Sequence, residues 1–154
     1  MSNTSKGNKI EVMAETILGL RGYAVQRAWR KMIRIGPNRY VSNTNDFFGA
    51  FDIIAINSEH VKLVQTTTAD GRFERQHKIE AAKIPHNFSV LREVWAWHGG
   101  GKRLDKCRTV HKRYVPYQVF YVWRQSTNGW GLAYLLDRDG TIVTESDFDV
   151  PVKG

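Results

Sequence analysis

Two apolar, β-branched runs, Phe51 to Ile56 and Val61 to Thr67, stand on either side of Asn57-Ser58-Glu59-His60. Runs of this composition joined by a short polar turn pair as adjacent strands, and both are expected near the centre of a sheet. The pair constrains everything else, because the remaining chain must supply the layers that cover it. An acid, Asp52, sits at the mouth of the first run. Along the second, side chains alternate, so Val61, Leu63, Gln65 and Thr67 take one face while Lys62, Val64 and Thr66 take the other.

The covering layers follow from periodicity. Ile10, Met13, Ala14, Ile17 and Leu18 recur at helical spacing and Gly22 supplies a stop, which predicts a first helix from Asn8 to Arg21 behind a flexible polar arm over residues 1–7. Tyr23 to Gln26 reads as a short strand. Gly36-Pro37-Asn38 marks a turn in a basic stretch (Arg27, Arg30, Lys31, Arg34, Arg39) that is either a loop or a hairpin. Phe73 to Lys83 carries helix formers, with Pro85 just past the end. Ser89 to Trp97 and Tyr117 to Trp123 read as strands with a basic loop between them, and Trp130 to Leu136 with Thr141 to Val143 reads as a hairpin around Asp137-Arg138-Asp139-Gly140. Helix, strands, helix and further strands make residues 8–154 one mixed α/β domain on a single sheet.

Composition narrows the setting. A chain of 154 residues, 42% of them hydrophobic, buries the core of one domain, and its one cysteine, Cys107, excludes an internal disulfide and zinc-ligand spacing. No apolar run approaches the roughly 20 residues of a membrane span, and the opening residues lack a signal-peptide pattern. No membrane partner is expected, and the expected setting is cytoplasmic, a phage- or virus-encoded protein included. The net charge of +8 points to a polyanionic partner, nucleic acid first, because cations that meet phosphates release counterions.

Asp52 and Gln65 on neighbouring strands place a carboxylate and an amide carbonyl where both can approach one cation, with the Thr66 main-chain carbonyl as a third hard oxygen. Magnesium or manganese suits such a donor set. Asp46, six residues before Asp52, either joins the site or caps a turn. Glu11 and Glu15 are neighbours on one helical surface. Either can lean over the metal or stand as a solvated charge, and Glu15 is expected to be solvated.

Lys6-Gly7-Asn8-Lys9-Ile10-Glu11, then Gly22-Tyr23-Ala24-Val25-Gln26-Arg27, then Asp52 and Gln65-x-Thr67, resemble the archaeal and phage-type Holliday-junction resolvases, and more broadly the PD-(D/E)XK nuclease superfamily. The resemblance spans residues 6–80 and implies a restriction-endonuclease-like fold: an αβββαβ core on one mixed sheet flanked by helices, here with extra C-terminal strands. It also implies a divalent metal and a homodimer cutting paired strands during DNA recombination. By position Glu11 matches the helix glutamate, Asp52 the metal-binding aspartate, and Gln65 and Thr67 the acid and lysine of the final motif. The last two depart from the family's pattern: Gln65 removes a negative charge from the metal site, and Thr67 removes the cation that would stabilise charge on phosphorus. Lys78 from the second helix is the first choice to replace that cation, with Arg75 second and Arg72 also close behind the strand.

Trp95-Ala96-Trp97-His98 runs into Gly99-Gly100-Gly101-Lys102-Arg103, a glycine-rich basic stretch suited to phosphate contact. It lacks the spacing of a P-loop or dinucleotide fingerprint. Trp95 and Trp97 share a strand face and are expected in the core, and His98 is expected to contact polar groups rather than to catalyse. Arg30, Lys31, Arg34, Arg72, Arg75, Lys102 and Arg103 are the expected DNA contacts. The expected function is metal-dependent endonucleolytic cleavage of branched or structured DNA, with Glu11, Asp52, Gln65 and Lys78 in the chemistry. A nuclease-fold protein weakened by Gln65 and Thr67, acting in DNA binding or assembly, is the alternative.

Overall fold

The structure, a computed structural model, describes residues 3–87, 89–99, 107–110, 113–116 and 118–143. Its centre is a parallel pair, β5 (Val61–Thr68) and β6 (Val90–His98), in register from Val61 opposite Val90 to Thr68 opposite Trp97. Parallel neighbours need a crossover. Here it is a short 3-10 turn, Ala69–Gly71, followed by helix α2 (Arg72–Ala81). Both strands are buried through their interiors on both faces, so the polar residues they carry are buried with the apolar ones.

Around this pair the sheet grows antiparallel on both sides. On one side lie β4 (Ile53–Ile56) and β1 (Ala24–Arg27), on the other β9 (Val119–Ser126), β10 (Gly129–Leu136) and β11 (Ile142–Val143), giving the order β1-β4-β5-β6-β9-β10-β11. Two further hairpins stand outside it: β2 (Trp29–Gly36) with β3 (Arg39–Asn45), and β7 (Cys107–Val110) with β8 (Arg113–Pro116). The α/β class is as expected, with one mixed seven-stranded sheet and two helices. The single-sheet expectation is not, because the basic stretch read as a loop or hairpin and the one read as a basic loop each form a separate two-stranded ribbon.

Helix α1 (Asn3–Leu20) and α2 cover opposite faces. Ile10, Ala14, Ile17 and Leu18 of α1 pack with Ile53, Ala55, Val64, Trp95, Phe120, Val122 and Leu136. Ile79 of α2 packs with Ala50, Phe51, Leu63 and Val94. Adjacent residues Leu63 and Val64, or Val94 and Trp95, divide between the two layers, as alternation requires. Trp95 and Trp97 lie in the α1 layer against Phe120, with ring centroids 5.4 and 4.9 Å apart. The helix begins five residues before Asn8, so the expected arm is helical from Asn3. Apolar periodicity marks only the packed part of a helix, and once a helix is nucleated each further residue adds a hydrogen bond at small cost.

The α1 layer also holds a buried ion cluster. Glu93, fully buried, accepts from Arg124 Nη2 at 2.6 Å and from Trp95 Nε1 at 3.1 Å, and pairs with Lys62 Nζ at 3.1 Å. Lys62 in turn donates to the Tyr134 hydroxyl at 2.5 Å. Burial pushes the Tyr134 phenol up to about 12, with the Glu93 carboxylate acting in the same direction. Each charge here has a partner, so the cluster closes the layer rather than opening a site. Removing the carboxylate strands Lys62 without compensation. Glu93→Ala is expected to lower unfolding stability by about 3–5 kcal/mol in urea titrations; a loss below about 1 kcal/mol would show that the cluster is not what holds this layer.

Candidate functional site

At the opposite end of β5 the polar groups gather differently. The chain leaves β3, passes Asp46, turns through Phe47-Phe48-Gly49-Ala50, returns through Phe51 and reaches Asp52 as β4 begins. Phe47 and Phe51 form a bridge across this loop, so Asp46 and Asp52 stand at its two feet. The Ala50 N–H donates to the Phe47 carbonyl at 3.1 Å, and both central residues are left-handed, Phe48 with φ 54° and Gly49 with φ 69°. That is the backbone of a type I′ turn, which favours Asn-Gly; a phenylalanine at its first central position costs on the order of 1 kcal/mol or more.

The strand register puts Asp52 opposite Gln65, one step beyond the Ile53–Val64 pair. Gln65 Nε2 donates to Asp52 Oδ2 at 2.7 Å, and Thr66 donates to the same oxygen twice, through its main-chain N–H and its Oγ1, each at 3.0 Å. Thr66 was expected to turn its carbonyl to a cation. Instead that carbonyl accepts from Gln65 Nε2 at 3.3 Å, and Thr66 serves as a donor that fixes the carboxylate. Burial raises the Asp52 pKa above 3.8 as the largest influence, the Thr66 N–H bond opposes it, and the nearby Asp46 carboxylate pushes in the same direction as burial.

Asp46 does not cap the turn through its side chain. Its Oδ2 pairs with Lys78 Nζ from α2 at 2.7 Å. Arg75, one turn earlier on α2, lies close enough to Asp52 to lower its pKa slightly. Asp46, Asp52, Gln65, Lys78 and Arg75 therefore meet at one place. Two buried oxygens there, Gln65 Oε1 and Asp46 Oδ1, have no hydrogen-bond partner. Buried acceptors without donors carry a desolvation cost, and hard oxygens with unused lone pairs are the donors magnesium and manganese take. The donor set thus fits such a cation. Among the described residues, however, no three of His, Cys, Asp and Glu lie close enough to one another to hold a metal ion, so the site relies on two carboxylates and an amide.

Glu11 lies elsewhere. It is buried on α1 and lines an open groove of about 510 Å³ with Asn8, Glu15, Val25, Gln26, Arg27 and Ala28. The groove meets the site through main chain, where the Ala28 N–H donates to the Asp52 carbonyl at 2.7 Å. Glu15, expected to be solvated, pairs with Arg27 Nε at 3.0 Å on the same groove.

The expected DNA contacts divide by position. Arg30 and Lys31 lie on β2, and exposed Arg34 bonds its own turn, Nε to the Gly36 carbonyl at 3.4 Å. Arg72 stacks over Trp123 at 3.7 Å and over Phe73 at 4.1 Å, and burial lowers its pKa. Lys102 and Arg103 lie outside the described residues. His98 stacks on Tyr121, with ring centroids 3.8 Å apart. Thr67, where the resemblance places a lysine, is buried, and Gly71 packs against its hydroxyl, leaving no room for a side chain at 71 while that hydroxyl keeps its place.

Sequence reasoning missed Thr66 as a donor and Phe48 as a site neighbour. A signal for the second was present: Phe-Gly stands where a turn between two acids would ordinarily take Asn-Gly. No protein-family model, curated protein or solved structure matches this chain. No helix among the described residues is long and apolar enough to cross a membrane.

A raised carboxyl pKa means that the folded chain keeps the Asp52 proton to higher pH than the unfolded chain does. Stability from this group therefore falls as pH rises from the ordinary value through the raised one. Asp52→Asn keeps an acceptor for Gln65 and Thr66 and removes the charge. The variant is expected to melt above the parent at pH 7, with the gap closing as pH falls towards 3.8; a parent that melts higher at pH 7 would mean that the hydrogen bonds outweigh burial.

Proposed function

We propose that this chain is a metal-dependent endonuclease of restriction-endonuclease-like fold acting on branched or structured DNA. The observation that carries the proposal is the direct opposition of Asp52 and Gln65 on β4 and β5, joined by Asp46 and by Lys78 from the crossover helix. The element order supports it: α1, the β1-β4-β5 meander, α2 and the parallel strand β6 follow the αβββαβ order of that core, with the β2–β3 ribbon as an insertion. A net charge of +8 favours a phosphate backbone as substrate.

Asp52, Asp46 and Gln65 would hold magnesium or manganese, which supplies Lewis acidity towards a phosphate oxygen. Thr66 and Gln65 lock the Asp52 carboxylate in place before any ligand arrives, so little reorganisation is needed on binding. The Lys78 ammonium stands where the strand itself offers only Thr67. From there it meets negative charge developing on the phosphate, and Arg75 adds a second cation on the same helix face. Glu11 is assigned to the wall of the adjoining groove and to an outer part of the metal site. Cleavage of symmetrically related strands calls for a homodimer with paired sites.

A second reading has its own support. Gln65 lowers the charge of the site, and Asp52 already spends one oxygen on three protein donors. A chain of this kind would bind DNA and cut it poorly, as an assembly or protective module. The two readings separate in one assay, with purified protein, four-way junctions, duplex and single strands in magnesium or manganese. The nuclease reading expects metal-dependent cleavage that Asp52→Ala abolishes and Lys78→Ala slows by roughly 100-fold, the range of one lost charge-stabilising donor. Junction binding without cleavage in either metal selects the second reading instead.

A further inference from the structure

Phe48 is 64% exposed, and it occupies the tip of the turn whose feet are Asp46 and Asp52. It stands two residues after Asp46 in the chain. The backbone there is left-handed, φ 54°, a conformation that glycine or asparagine adopts with little strain and a bulky side chain does not. In the folded chain an aromatic at this position therefore carries strain and leaves most of its apolar ring in water without packing in return. A strained residue is maintained when something outside the fold uses it, and it lies here beside two carboxylates and the cations of α2.

A flat apolar face exposed at the tip of a loop whose feet carry the charged site suits one occupant above others, an unpaired DNA base next to a phosphate at that site. Every base offers a π-face to an aromatic ring, whereas bases inside an intact duplex are already stacked on each other. Cations on α2 supply the backbone attraction: Lys78 and Arg75 at the site, and Arg72, whose guanidinium lies over the exposed Phe73 ring. A second copy of this chain would also cover an exposed phenylalanine, but it would bring its own excess of positive charge to the same cations.

We propose that Phe48 is a stacking residue that selects DNA with an unpaired base at the Asp46–Asp52 site, and so sets the preference for branched over perfect duplex substrate. The occupant follows from the nuclease reading above, but stacking can be read without cleavage.

The full chain is titrated, in buffer without divalent metal, against a perfect duplex and against the same duplex carrying one unpaired 2-aminopurine, whose fluorescence reports stacking. Phe48→Gly, which fits the left-handed backbone, and Phe48→Trp are compared with the parent. Expected results are a fluorescence change with the parent and with Phe48→Trp that Phe48→Gly loses, affinity for the unpaired-base DNA falling roughly 5- to 100-fold in Phe48→Gly, and unchanged affinity for the perfect duplex. A melting temperature of Phe48→Gly at or above the parent's shows that the fold is intact.

Equal losses on both DNAs, no loss on either, or no fluorescence change with the parent overturns the proposal. So does a parent dimer in sedimentation that Phe48→Gly dissociates, since the ring would then serve a protein interface. Failure of the nuclease reading looks different: the parent shows the stacking signal and cuts nothing in magnesium or manganese. Metal-dependent cleavage that Phe48→Gly leaves unchanged on both DNAs would keep the nuclease and remove the stacking role.

Discussion

The parallel pairing of β5 with β6 governs the rest of this molecule. Two parallel neighbours cannot be joined by a turn, so the chain must cross over, and α2 is that crossover. Helices then cover both faces, and a strand buried on both faces has no water for its polar side chains. Each polar group on β5 must find a protein partner or remain exposed to a desolvation penalty. Lys62, Gln65, Thr66 and Thr67 are all buried on this one strand. Their differing fates separate scaffold from site.

At one end of the strand the account closes. Lys62 meets Glu93, Arg124 shares that carboxylate, and Trp95 and Tyr134 take hydrogen bonds around them. Such a cluster gives little net stability over a well-packed apolar alternative, yet breaking it is costly, which makes it a device for register rather than for ligands. At the other end the account stays open. Asp52 is fixed by three donors, while Gln65 Oε1 and Asp46 Oδ1 are left buried without any. The same burial that demands satisfaction at Glu93 leaves a demand unmet near Asp52, and unmet demand is where a ligand can bind with gain.

Much of this was legible in the letters. The runs around Asp52 and Gln65 gave the central strands and placed the two side chains opposite each other, because alternation and a short turn leave few registers. Helical periodicity gave the packed part of α1 but not its first turns, which carry no apolar signal. The ribbon β2–β3 was left between loop and hairpin, since the charged and polar residues of Trp29–Gly36 and Arg39–Asn45 leave only a weak apolar alternation in the sequence. β7–β8 was missed for a similar reason. At the site, Lys78 was placed by its distance along the chain from β5, whereas the Phe48 turn and the double donation from Thr66 depend on backbone geometry that composition does not record. Glu11 sits on the helix that the resemblance names, and among the described residues no three of His, Cys, Asp and Glu gather to hold a metal ion.

The placement of charge ties the two ends of the argument together. Cations outnumber acids by eight in this chain, yet the site near Asp52 draws together two carboxylates that repel each other. Lys78 offsets that repulsion from one side, and desolvation raises the cost of leaving both acids ionised. A purely structural role would be served more cheaply by Asn at either position, which keeps the hydrogen bonds without the charge. Two acids held close at the mouth of a doubly covered strand, at the feet of a strained aromatic turn, carry a cost that the Lys78 pair and the Gln65 and Thr66 donors offset only in part. A ligand that brings positive charge to the open oxygens of Gln65 and Asp46 offsets that cost.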